Sequence, residues 1–162
     1  MKKILLVFFV LFICSCELTE EDIEVGSLFV YDFNNDIKVE SLEDAVDYVA
    51  YDIKYKSDPP GYDYWQTPEE TETLKTGDCE DKAILLMYLL NKMGIDSWLL
   101  IITNIITQED HALVFSNNLF LESTNGSISK KFPTNYTIKS YISYYEAIWM
   151  TVFYHNNVGK YE

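Results

Sequence analysis

The chain has 162 residues, which is enough for one domain with an N-terminal appendage, and its formal net charge is −14 at pH 7. All twelve basic residues are lysines, so the chain contains no arginine. Nucleic acid and anionic lipid headgroups are poor partners for such a chain, because both require clustered positive charge.

The N-terminal residues have the pattern of an export signal. A basic Met-Lys-Lys start precedes an apolar run over residues 4–13 that is too short to anchor stably in a bilayer. The cysteines that follow, Cys14 and Cys16, resemble the lipobox of bacterial lipoproteins, in which cleavage precedes a cysteine that becomes lipidated. Cys16 fits this position because small Ser15 precedes it, whereas bulky Ile13 precedes Cys14.

We therefore expect a signal peptide over residues 1–15 and a lipid on Cys16. The lipid would anchor the protein to a membrane and place it in the bacterial periplasm or at the cell surface. A plain signal peptide with incidental cysteines is the alternative. Residues 16–26 are acidic and predict a flexible tether, and residues 27–162 predict a single domain.

Apolar spacing and capping residues predict the first elements of this domain. A β-rich run predicts a strand over residues 27–33, and helical spacing predicts a helix over about residues 42–55. A short helix is expected to begin at Pro68, with Thr67 as its N-cap and Gly77 closing the unit.

The main helix is expected to carry Cys79 in its first turn, with Asp78 as N-cap, Asp81 at the third position and Gly94 at its end. Its all-round apolar sequence indicates burial against strands. The N–H groups and partial positive charge of a helix N-terminus favour a thiolate and can hold an oxyanion, so Cys79 is a candidate nucleophile. The other two cysteines belong to the expected leader and lipid site, which leaves this thiol without a disulfide partner. An inert structural thiol is the alternative.

The sequence of the second half of the domain predicts a small antiparallel sheet followed by a final helix. A continuous apolar, β-branched run over residues 97–106 is typical of a central strand. Runs over residues 110–115 and 119–123 predict a hairpin with a two-residue Asn-Asn turn. After a loop over residues 130–135, aromatic spacing predicts a closing helix over residues 137–154.

The hairpin register places His111 and Glu122 on one face as diagonal neighbours, because side chains alternate along a strand. Their Cβ atoms would lie about 5–7 Å apart, close enough for an imidazole–carboxylate hydrogen bond. A base oriented by an acid beside a nucleophile forms a triad, so Cys79, His111 and Glu122 are the candidate catalytic residues. An ordinary paired histidine and a solvated strand acid are the alternatives.

Motifs in this order resemble the bacterial transglutaminase-like superfamily, which has a papain-like core. They are Gly-Asp-Cys at residues 77–79, Met-Gly at residues 93–94, Asp-His-Ala at residues 110–112 and Leu-Glu-Ser-Thr at residues 121–124. A tryptophan-containing stretch over residues 65–71 is similar to one that often precedes the cysteine in these proteins. The resemblance implies an α+β fold in which the Cys-bearing helix packs on a small antiparallel sheet.

The resemblance also implies roles: Cys79 as nucleophile, His111 as general base and acid, and Glu122 as the orienting acid. The family usually has aspartate at the last position, so the glutamate either supports the histidine or marks a detuned or lost activity. Trp65 and Gln66 are expected to line the cleft, with Gln66 as a second oxyanion donor. A tryptophan that only covers the core is the alternative.

Neither a metal nor another cofactor is expected, because capping accounts for Asp78 and Asp81 and no EF-hand-like spacing is present. The chain is therefore predicted to be an envelope lipoprotein that cleaves an amide bond of a protein or peptide through a thioester, as a cysteine peptidase or amidase. A lysine amine as acceptor would make it a crosslinking acyltransferase. A domain without turnover would be a binding or scaffold module of the envelope.

Overall fold

The computed structural model describes Phe33 and residues 37–158. The predicted signal peptide, the lipid site at Cys16, the tether and, apart from Phe33, the first predicted strand lie outside these residues and stay predictions. No helix within the described residues is long and apolar enough to span a membrane.

The described residues form four helices and seven strands. In chain order they are α1 (Leu42–Asp52), β1 (Lys54–Tyr55), α2 (Pro68–Leu74), β2 (Thr76–Gly77), α3 (Cys79–Lys92), β3 (Trp98–Asn104), β4 (Asp110–Ser116), β5 (Leu119–Leu121), β6 (Ile128–Ser129), β7 (Tyr136–Ser143) and α4 (Tyr144–Val158). Strands β6-β5-β4-β3-β7 form an antiparallel sheet, and β1 pairs with β2 in parallel.

Helix α1 is shorter than its apolar spacing predicts. Its start is as expected, because the Ser41 side chain accepts a hydrogen bond from the backbone of Asp44 at 3.0 Å. The helix ends at Asp52 instead of residue 55, since the next residues gain sheet hydrogen bonds from β2. Lys54 N–H donates to the Lys75 carbonyl at 2.9 Å. Pairing with a distant segment has replaced the last helical turn.

Helix α2 begins as predicted and ends differently. Thr67 and Glu70 form a reciprocal capping box, and Pro68 occupies the first helical position. The helix is closed by Lys75 in the left-handed conformation, with φ of 52°, and not by Gly77. Gly77 instead lies in β2 against the start of α3.

Helix α3 is the centre of the domain. It packs against α1, α2, α4 and β4, which explains its nearly continuous apolar sequence. Gly94 follows the helix with φ of 72°, as predicted for a glycine at this end. On the sheet, Leu100, Ile102 and Leu113 form a separate apolar cluster that is covered by aromatic side chains, namely Phe115, Phe120, Phe132 and Tyr136.

The predicted hairpin is confirmed in its turn and register. Asn117 and Asn118 both have positive φ, which matches a two-residue turn that follows the twist of the strands. Ser116 pairs with Leu119, and the ladder continues only to Leu121. The second strand is therefore two residues shorter than predicted.

The closing helix over residues 137–154 is wrong in its first half. Residues Tyr136–Ser143 form β7, which pairs with the otherwise unpartnered edge of β3, and only Tyr144–Val158 is helical. Ser143 and Glu146 mark the helix start in the sequence, because the Ser143 N–H donates to the Glu146 carboxylate at 2.9 Å, as in a capping box. The predicted α+β class, with the Cys-bearing helix on an antiparallel sheet, is confirmed.

Candidate active site

Cys79 is the first residue of α3, and it lines a cavity of about 290 Å³ together with His111. Asp78 is the N-cap, and Asp81 accepts a hydrogen bond from its backbone N–H at 3.2 Å. The backbone N–H of Ala112, directly after His111, donates to the thiol sulfur. The N-terminal end of α3 and strand β4 thus bring the nucleophile candidate and the histidine into one cavity, as the sequence predicts.

The predicted contact between His111 and Glu122 is present. Nε2 of His111 lies 2.7 Å from Oε2 of Glu122. The other carboxylate oxygen accepts from Thr124, at 3.0 Å from its backbone nitrogen and 2.6 Å from its hydroxyl. Burial raises the pKa of the Glu122 carboxyl, but the hydrogen bonds from His111 and Thr124 outweigh it, and the pKa lies below its usual value. Glu122 is therefore an anion that orients the imidazole and leaves Nδ1 for a second partner.

The electrostatic surroundings of Cys79 favour the thiol. Burial, followed by the charge and hydrogen bonding of Glu80, raises the pKa of the Cys79 thiol, and the N–H of Ala112 opposes this only in part. The sulfur donates to Oε2 of Glu80 at 3.1 Å. Ionisation of Cys79 therefore requires positive charge nearby, from a protonated His111 or from a cation at the neighbouring acids.

Buried acids surround the start of α3. Burial and the neighbouring Asp78 raise the pKa of Glu80 to about 8, and the same two causes raise that of Asp81 to about 7. The Asp81 side chain is 1% exposed and accepts the backbone N–H of Gln66 at 2.8 Å. Asp81 thus joins the loop before α2 to the Cys79 helix, in addition to the capping role that the sequence predicts.

Gly77 is required by the close approach of Asp81. A Cβ atom at residue 77 would lie 2.6 Å from the Cβ of Asp81, which is closer than side chains tolerate. The glycine of the Gly-Asp-Cys motif therefore gives the Asp81 side chain room beside the helix start.

The two residues predicted to line the cleft have different positions. Trp65 is 7% exposed, lines the cavity and donates from its indole to Asp63 at 3.1 Å. Gln66 is not among the residues that line this cavity. Its side-chain oxygen is buried without a hydrogen-bond partner, and its backbone is held by Asp81.

Lys82 is a further polar residue behind the site that the sequence analysis did not single out. Its side chain is 1% exposed, and Nζ donates to the carbonyls of Ala50 at 3.2 Å and Ile53 at 2.7 Å. Burial lowers the pKa of this lysine, while the charge of Glu122 opposes the shift. Lys82 therefore joins the end of α1 to the helix that carries Cys79.

The sequence analysis also did not identify the acidic loop beside the cavity. Carboxylate oxygens of Asp58, Asp63 and Glu80 lie within 4.8 Å of one another. Asp78 is hydrogen-bonded to Glu80, and its Oδ1 is buried without a hydrogen-bond partner. Asp58 and Asp63 flank a Pro-Pro-Gly turn, and no spacing rule connects such a loop to a helix twenty residues later.

Comparisons with known proteins agree with this architecture. The family model described as the CEP76 peptidase-like domain matches residues 63–158, which is more than half of the chain. Among solved structures, Legionella pneumophila LapG is similar with a TM-score of 0.56 and 22% identity over 63% of each chain. Comparison with curated protein sequences gave no match.

Two further LapG structures match equally well. Calcium-bound LapG has a TM-score of 0.57 and 23% identity over 63% of each chain. EGTA-treated LapG has the same TM-score and identity over 63% of this chain and 61% of that one. The chain spans less than two thirds of the LapG chains, and the likeness shows the fold. These matches confirm the fold that the sequence predicts.

Proposed function

The chain belongs to the family of CEP76 peptidase-like domains, within the transglutaminase-like superfamily, and on this premise we propose that it is a cysteine peptidase with Cys79 as nucleophile. The observation that carries the proposal is the 2.7 Å contact between Glu122 and His111, which lines the same cavity as Cys79. It supplies an oriented base beside a thiol at a helix N-terminus.

In the proposed reaction, Nδ1 of His111 takes the proton of the Cys79 thiol, and the sulfur attacks the carbonyl carbon of the scissile amide. The backbone N–H of Cys79, which the helix itself leaves unpaired, stabilises the oxyanion. The imidazolium then donates its proton to the departing amine, and a thioester remains. Water, deprotonated by His111, adds to the thioester and releases the carboxylic acid and the thiol.

The lining of the cavity supports a peptide substrate. Its apolar members come from the loop before α2, the sheet and α4; they are Trp65, Ile101, Ala112, Ile142 and Met150. Apolar walls with few polar groups are typical of sites that bind extended organic ligands. Water as acceptor gives hydrolysis, which we propose in preference to transfer onto an amine.

A peptide probe with an electrophilic ketone tests this proposal. We expect the purified protein to be labelled at Cys79, located by mass spectrometry, and Cys79→Ser to lose the label because serine keeps the size but lacks the thiol. A peptide library incubated with the wild type and with an added primary amine separates free acids from amide products. Equal labelling of both proteins, or no labelling of either, would favour the scaffold module.

We further propose that the acids beside the cavity bind a calcium ion. The donors fit, since Asp58, Asp63 and Glu80 offer carboxylate oxygens within 4.8 Å of one another. Asp78, the neighbour of Glu80, has a buried oxygen without a partner. Calcium prefers such oxygen ligands. LapG, similar in fold, has a calcium-bound structure. When bound, the ion would supply positive charge that offsets Glu80, which raises the pKa of the Cys79 thiol.

The pH dependence of stability tests the calcium site. The pKa of Glu80 rises from 4.5 to about 8 on folding, so the stability that its protonation contributes is complete below pH 4.5 and lost as the pH passes 8. In EGTA, we expect the difference in Tm between wild type and Glu80→Gln to grow in favour of the variant from pH 6 to pH 9. Calcium should raise the Tm of the wild type most at pH 9, because the deprotonated site binds it.

Differential scanning fluorimetry with and without calcium measures both effects. Glu109→Gln, which removes an exposed acid away from the cluster, is the matched control and should respond to calcium as the wild type does. A Tm at pH 9 that calcium leaves unchanged would remove the cation from the proposal and leave the peptidase proposal standing.

A further inference from the structure

Strand β7 contains a β-bulge at Lys139, beside the cavity. Ile101 of β3 pairs with Ser140, but the next residue, Ile102, pairs with Ile138, so Lys139 is an extra residue in β7. A bulge redirects the extra side chain and often lies next to an active site. Here Lys139 lines the same cavity as Cys79.

Lys139 is held by an exposed partner. Its Nζ lies 2.5 Å from Oδ2 of Asp110 on β4, and the hydroxyl of Thr103 donates to Oδ1 of the same carboxylate at 2.6 Å. The side chains of Lys139 and Asp110 are 60% and 44% exposed. An ion pair that is so open to solvent contributes little stability, so another carboxylate can replace Asp110 at modest cost.

Three acids line the cavity, Asp63, Glu80 and Asp110, and Lys139 is the only lysine among the described residues that line it. Asp63 and Glu80 belong to the acidic cluster, whereas Asp110 is paired with Lys139. A substrate carboxylate would therefore be repelled by the acidic cluster and attracted by Lys139 once it displaces Asp110. Asp110 directly precedes His111 in β4, and His111, Asp110 and Lys139 all line this cavity.

From this arrangement we infer that Lys139 is a specificity-determining residue that binds a carboxylate of the substrate, which makes the substrate an acidic peptide. The inference rests on the proposed peptidase function and adds the substrate class. Binding exchanges the Asp110 carboxylate for that of the substrate at Nζ, and the acidic side chain lies along β7 while the amide faces Cys79.

Alkylation of Cys79 by a charged and a neutral reagent tests the inference without a known substrate. Iodoacetate and iodoacetamide both form a carbon–sulfur bond with loss of iodide, and they differ by one carboxylate. We expect the ratio of the iodoacetate rate to the iodoacetamide rate to fall roughly fivefold in Lys139→Met, because one attractive charge near the sulfur is lost. Lys139→Arg should retain the ratio.

Two further variants separate a local effect from the net charge. Lys130→Met removes an exposed charge of the same sign away from the cavity and should leave the ratio unchanged. Asp110→Asn should raise the ratio, since it frees Lys139 for the reagent. A role of the ion pair in folding alone would not move the ratio in opposite directions in the two partners.

Equal ratios in Lys139→Met and Lys130→Met would overturn the inference. The proposed function is judged separately by the iodoacetamide rate, which must depend on His111. An iodoacetamide rate that is the same in the wild type and in His111→Ala would contradict the peptidase function. The ratio of the two reagents would still report whether Lys139 attracts carboxylates to Cys79.

Discussion

His111→Ala is expected to lower the rate of amide hydrolysis by about 10³-fold, within the range that general acid–base catalysis contributes. In the proposed reaction the imidazole takes the proton of Cys79, whereas burial and the Glu80 carboxylate, which accepts a hydrogen bond from the thiol, hold that thiol in its protonated form. Without His111 the proposed reaction lacks its base for the thiol and its acid for the leaving amine. Both chemical steps of acylation should therefore slow.

The alkylation rate of Cys79 between pH 5 and pH 9, with calcium present, measures the first of these effects. The wild type should react with iodoacetamide well below pH 8, because His111 takes the thiol proton in the proposed mechanism. In His111→Ala the rate should rise only at higher pH. Circular dichroism and Tm establish that the variant is folded, and identical pH profiles of the two proteins would contradict the role of His111.

Glu122→Gln is expected to lower kcat by roughly 10² to 10⁴, with a smaller change in KM, because it reverses the tautomer of His111. Thr124 donates two hydrogen bonds to one oxygen of Glu122, so a glutamine oxygen must occupy that position. The glutamine NH₂ then faces Nε2 of His111 and donates to it. The ring proton moves to Nδ1, which can no longer accept the proton of Cys79.

Glu122→Asp is the companion variant for this prediction. It retains the charge that the family usually places here but shortens the side chain by one methylene, and the 2.7 Å contact with His111 would have to be restored by a small shift. We expect activity between that of the wild type and that of Glu122→Gln. A Glu122→Gln protein with wild-type kcat would show that the carboxylate is not the orienting acid.

The candidate triad could be predicted from the sequence because its geometry is local. Cys79 owes its place at a helix start to the adjacent turn and caps, and helix start signals extend over only a few residues. The contact between His111 and Glu122 follows from strand alternation across a two-residue turn. No knowledge of distant segments is needed for either position.

The part that the sequence analysis predicted wrongly depends on distant partners. The aromatic-rich residues that form β7 have spacing compatible with a helix, and they form a strand because β3 offers a free edge whose N–H and C=O groups need partners. Strand β1, which follows α1, forms for the same reason, because it pairs with β2. Propensity over a short window does not contain this information.

By itself the sequence determined the position of Cys79 at a helix start, the histidine–acid pair and the α+β class, since each follows from short-range periodicity and capping. Only the tertiary structure decided that Asp58 and Asp63 join Glu80, and that a bulge directs Lys139 to the cavity. Such contacts join segments that are far apart in the chain. They exist because burial and backbone hydrogen bonding bring those segments together, and no local pattern records which distant residues will meet.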